Sequence, residues 1–154
     1  MGNKKAPKQG ASPAGDRKPV PGASPRTRKR PIPGAPVSKD PTLVWGFSML
    51  DLDGSWGWSG VTSVHVKALL EKCKGWETMR ASELFGPGGN KLIPFGNLDQ
   101  AARKRLQEIE LDDIDGLWEL RLSGERRIWG TRVEHVFYLI WWDPKHTVCP
   151  SIKA

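Results

Sequence analysis

The chain has 154 residues, with 24 Lys/Arg against 17 Asp/Glu and eight tryptophans, which suits one ordinary domain and leaves little room for a second. Its charge is unevenly spread: residues 1–40 carry ten Lys/Arg against two acids, and the remaining 114 carry 14 against 15. The formal +7 therefore belongs to the first 40 residues, and the rest offers no net basic charge from which to argue nucleic-acid binding.

Residues 1–40 hold eight of the 13 prolines and no aromatic residue. Such a stretch cannot bury enough apolar surface to offset its ordering entropy, so it reads as a disordered, basic Pro/Gly/Ala-rich tail before a single domain at 41–154. No apolar segment follows the basic start as in a secretory signal, and no run is long enough to span a membrane. "RTRKRP" (Arg26 to Pro31) reads as part of a solvated tail. Cys73 and Cys149 stand apart with no Cys/His cluster, which fits small core residues in a reducing cytoplasm. "DLDGSWG" (Asp51 to Gly57) begins like a calcium loop but puts Trp56 at loop position six and Thr62 at twelve. No metal and no cofactor are expected.

The first expected element is a strand in "LVWGFSMLDL" (Leu43 to Leu52), with Gly54, Gly57 and Gly60 turning the chain after it. "TSVHVKALLEKCKG" follows as a helix capped by Thr62 or Ser63 and stopped by Gly75, with Val66, Leu69, Leu70 and Cys73 on its buried face. His65 near its start reads as a surface or satisfied histidine rather than a site. A short helix within Trp76–Phe85 ends at "GPGG" (Gly86 to Gly89). Asn97 and Gln100 make a capping box for a further helix, whose stripe is Leu98, Ala102, Leu106 and Ile109. Its Arg103, Lys104 and Arg105 read as a solvated face.

After Gly116 the hydrophobic period changes to two. "LWELRL" (Leu117 to Leu122), "RRIWGT" (Arg126 to Thr131) and "VFYLIWW" (Val136 to Trp142) are three strands with short connections, hence an antiparallel meander. The third is apolar on both faces and should be interior. The expected fold is a small α+β domain whose antiparallel sheet, the meander plus the early strand, carries its helices on one face.

Alternation then assigns the other face. It holds Glu119, Arg121, Arg127 and Trp129, two guanidiniums and an indole suited to phosphate and a stacked base. The same pattern also describes a plain solvated sheet on which Arg121 pairs with Glu119 or Glu125. Pro144 cannot continue a ladder, so the chain turns there and brings Lys145 and His146 beside the end of the third strand. A histidine beside two arginines can take a proton from a ribose 2′-hydroxyl while the arginines stabilise charge on the phosphate, without a metal.

Those residues carry a resemblance. "LWELRLSGERRIWG…HVFYLIWWDPKHTV" resembles the C-terminal half of RelE/ParE-superfamily toxins, including the RelE, YoeB and HigB types, over residues 116–148. The shared features are a strand ending in Arg, a Gly turn, a second strand opening on Arg, an apolar strand and a turn with His. The resemblance implies the toxin of a type II toxin–antitoxin system, a cytoplasmic, ribosome-associated mRNA endoribonuclease neutralised by an antitoxin protein. By position it implies catalytic roles for Arg121, Arg127 and His146, with Lys145 a weaker candidate; the sheet face and its rim add Glu119, Arg126 and Trp129, which with Lys145 are expected to contact RNA. One feature departs from it: many mRNA-cleaving members end with a functional tyrosine or histidine, whereas this chain ends "CPSIKA" and its one tyrosine, Tyr138, lies inside a strand. ParE relatives keep the fold without cutting RNA, so a non-catalytic protein that binds a protein target is the second reading. A nucleic-acid or ribosome-binding protein driven by the tail is the third.

Overall fold

The computed structural model describes residues 39–150. The expectations for the tail fall outside the described residues except at Lys39 and Asp40. Asp40 already belongs to the domain edge, accepting from Ser82 Oγ at 2.8 Å and pairing with Arg80 at 3.6 Å. No helix among these residues is long and apolar enough to cross a membrane.

The fold is α+β. In chain order it runs β1 (Val44–Gly46), α1 (Ser63–Trp76), α2 (Ala81–Phe85), β2 (Lys91–Pro94), α3 (Gln100–Glu108), β3 (Gly116–Arg121), β4 (Arg127–Val133) and β5 (Val136–Asp143). The sheet has five strands in the order β1-β5-β4-β3-β2. The meander β3–β4–β5 is antiparallel as its period-two pattern requires, and β2 adds to it antiparallel through Lys91↔Glu119 and Ile93↔Leu117. β1 instead pairs parallel with β5, Val44 facing Val136. The sheet is therefore mixed rather than antiparallel throughout. Of the strand expected over residues 43–52 only these three residues join the ladder, and β2 was not anticipated.

The helices cover both faces, which corrects the expectation of one. Leu69 and Trp76 of α1 and Leu84 of α2 pack with Leu120, Ile128, Phe137, Leu139 and Trp142. Leu98, Ala102 and Leu106 at α3 pack on the opposite face with Leu117, Trp129, Ile140 and Trp141. A bulge divides β5 between these two cores. Trp129 faces Trp141 but Gly130 faces Leu139, so Ile140 is the extra residue and Trp141 joins the α3 side. Both Trp141 and Trp142 are core, on opposite faces.

Local signals decide the helix ends less well than the stripes do. The α3 cap is Asp99, whose carboxylate accepts from Ala101 N at 2.9 Å, and not Asn97. Gly75 lies within α1 rather than ending it. Val66 and Leu70, expected on the buried face of α1, are 39% and 59% exposed, because only the Leu69–Trp76 line meets the sheet. Arg105 is not on a solvated face. It grips the buried Asp51 through two bonds of 2.8 Å, and Trp141 Nε1 donates to the same carboxylate at 2.9 Å. The "DLDGSWG" segment thus clamps α3 to β5. Burial pushes the Asp51 carboxyl up, but the Arg105 and Trp141 bonds outweigh it and hold it below the ordinary carboxylate value.

Candidate functional site

The α3 face is roofed at one end and open at the other. Leu117 and Trp129 lie under α3, whereas the last pairs of the ladder, Arg121↔Arg127 and Arg127↔Asp143, project past it. Pleating keeps Glu119, Arg121 and Arg127 on this face, as alternation predicts. The turn after β5 then crosses the open end and returns Val148 to the core, carrying His146 above Glu119.

Two guanidiniums and an imidazole converge there on one oxygen, Glu119 Oε1. Arg127 Nε lies 2.5 Å from it, His146 Nε2 3.4 Å and Arg121 Nε 3.5 Å. Their exposures separate their roles. Glu119 and Arg127 side chains are 6% and 11% exposed, His146 17% and Arg121 58%. Arg127 Nη1 is also committed, donating to the carbonyls of Gly124 at 2.6 Å and Arg126 at 3.0 Å. Arg121 keeps most of its guanidinium in solvent. Its backbone is fixed by Asn90, whose Oδ1 accepts from Arg121 N at 3.2 Å while its Nδ2 donates to Leu84 O at 3.2 Å. The Gly-rich turn after α2 is thereby tied to the rim of the site.

Chemically this is a buried carboxylate clamped by one arginine, a half-buried imidazole leaning on it, and one arginine free to meet an anion. With Nε2 facing the carboxylate, Nδ1 is the histidine atom left to accept a proton, the carboxylate holding ring orientation and tautomer. Among the described residues no three His, Cys, Asp or Glu side chains are grouped to hold a metal. Cys149 lies close enough for the Glu119 charge to act on it, though burial is the larger cause of its raised thiol pKa.

Of the residues singled out from sequence, Glu119, Arg121, Arg127 and His146 are brought together. Trp129 is not available as a stacking platform. It is fully buried beneath α3, and its indole donates to Asp143 at 3.1 Å. Lys145 is exposed on the turn, and Arg126 sits just before β4, where alternation turns it away from Arg127. Two residues were missed. Asn90 carries a turn signal only after "GPGG", and Lys91, opposite Glu119 on the edge strand, places a further exposed cation on the same face. Comparison with protein families, curated proteins and solved structures finds no match for this chain.

Proposed function

We propose that the chain is the toxin of a type II toxin–antitoxin pair, a metal-independent endoribonuclease that cuts mRNA on the ribosome and is held inactive by an antitoxin protein in the cytoplasm. The observation that supports this reading is the convergence of Arg121, Arg127 and His146 on Glu119 within 3.5 Å. In the proposed reaction His146 Nδ1 takes the proton of a ribose 2′-hydroxyl. The 2′-oxygen attacks the adjacent phosphorus, and the bond to the 5′-oxygen breaks. The leaving oxygen then takes the proton back, giving a 2′,3′-cyclic phosphate and a 5′-hydroxyl end. Arg121 meets the phosphate, and Glu119, itself held by Arg127, stabilises the imidazolium.

Cleavage of a defined mRNA in a ribosome-containing extract with chelator present tests the proposal, with both product ends identified. His146→Ala is expected to slow cleavage by about 10²–10⁴-fold while ribosome binding persists. A folded His146→Ala protein that cuts at the parental rate would remove the imidazole from the mechanism. The burial of Trp129 and the neutralisation of Arg127 by Glu119 favour the second reading, a non-catalytic binder of a protein target. That reading predicts growth inhibition without new RNA ends.

A further inference from the structure

We propose that Asp143 is a positioning residue whose buried carboxylate sets the Pro144–Val148 turn and thereby keeps His146 against Glu119. Its functional consequence rests on His146 being the proton-transferring group, but the placement itself does not.

Asp143 is the last residue of β5 and is 0% exposed. Among the described residues its four hydrogen-bond donors include no cation. Oδ1 accepts from Thr147 N at 3.0 Å and Thr147 Oγ1 at 3.3 Å, and Oδ2 accepts from Val148 N at 3.0 Å and Trp129 Nε1 at 3.1 Å. Burying a carboxylate without a counter-ion is costly unless its lone pairs are used, and here they are. Three of those bonds close the turn onto the residue that precedes it. The fourth ties it to the sheet through Trp129, and Thr147 Oγ1 also accepts from Trp56 Nε1 at 2.8 Å. Between these anchors His146 adopts φ 56°, a backbone region that a residue with a Cβ keeps only when its surroundings over-determine it.

Residue type matters at this position. Every group facing Asp143 is a donor, so an asparagine would turn its own NH₂ toward N–H or O–H on one side. Glu119 and Arg127 stand on β3 and β4 and do not depend on the turn. Loss of the carboxylate should therefore release His146 selectively and leave the Glu119–Arg127 pair in place.

The test follows the His146 ring resonances by NMR in the full chain. Glu119→Gln should move them in the parent protein, because the two side chains touch. In Asp143→Asn that response should vanish, while it persists in Leu84→Ala, a core-loosening change on the opposite face. If Asp143→Asn does not fold, Thr147→Val decides: its side chain is exposed and near-isosteric, it lacks the hydroxyl between Trp56 and Asp143, and the response should shrink. A full response in folded Asp143→Asn or in Thr147→Val overturns the proposal, as does its equal loss in Leu84→Ala. In the cleavage assay Asp143→Asn should lower kcat by on the order of 10²–10⁴-fold at unchanged KM. A parent protein that cuts no RNA would defeat the functional reading and still leave the positioning to be decided by the resonances.

Discussion

At the scale of single residues, Arg121 and Arg127 looked equivalent in the sequence and are not equivalent in the fold. Arg127 is nearly closed to solvent and neutralises a buried carboxylate. Arg127→Ala would strand Glu119 and is expected to cost about 3–5 kcal/mol, the range for breaking a buried pair. Arg121 makes a long, exposed contact, and such surface pairs contribute about 0–1 kcal/mol. Arg121→Ala should leave stability nearly unchanged and, under the proposed function, weaken RNA binding by about 1.5–3 kcal/mol, the value of a charge-assisted contact. Urea unfolding beside an RNA-binding titration separates the two. Equal stability losses, or unweakened binding by Arg121→Ala, would contradict this division. The cysteines conform to a packing role: burial, with Glu77 adding to it, pushes the Cys73 thiol up to about 11.

At the scale of elements, the sequence was most legible where one local period persists. The meander followed from alternation over Leu117–Leu122, Arg126–Thr131 and Val136–Trp142, and α3 from the spacing of Leu98, Ala102 and Leu106. The Glu119–Arg121–Arg127 face followed from the same alternation, since a pleat leaves no choice of side. What escaped depends on partners distant in the chain. The parallel register of Val44 with Val136 has no local signature, and β2 is too short and too polar outside Leu92 and Ile93 to announce itself. The roof over Trp129 was equally hidden, because an amphipathic α3 does not say which sheet face it will choose. The bulge at Gly130 explains another failure of simple alternation. A Cβ there would meet the Phe137 ring and the Tyr138 carbonyl, so glycine permits the close approach that redirects Trp141.

At the scale of the whole molecule, α3 is held to the sheet by polar bonds as well as by apolar packing. Asp51 connects the loop after β1 to α3 and to Trp141, and its side chain is 3% exposed against 25% for Arg105. Asp51→Asn is expected to cost about 3 kcal/mol at neutral pH, the low end of the buried-pair range because Arg105 keeps contact with water. The pH dependence has a definite sign. The folded Asp51 pKa lies below its ordinary value of 3.8, so its stabilisation is present above that value and is lost as pH falls through the folded pKa. Melting curves of the parent and Asp51→Asn should thus differ most at neutral pH and approach one another below about pH 4. A difference that stays constant down to pH 2 would mean that the carboxylate charge is not what matters.

The parallel strand β1 also dictates an order of assembly. Residues 116–149 hold the meander, Glu119, both arginines and His146, and their pairings join near neighbours, whereas Val44 must find Val136 across most of the described chain. Closing so large a loop is entropically favourable only after β5 has a surface to receive it, so the meander should nucleate and β1 should dock late. Gly46 offers a probe, since a Cβ there would strike the Tyr138 ring. In stopped-flow chevrons Gly46→Ala should accelerate unfolding and leave the folding rate almost unchanged. A slowed folding limb would place β1 in the transition state. If β1 arrives last, the cluster around Glu119 is complete within the early-folding residues 116–149 before the chain's own N-terminal strand closes on β5.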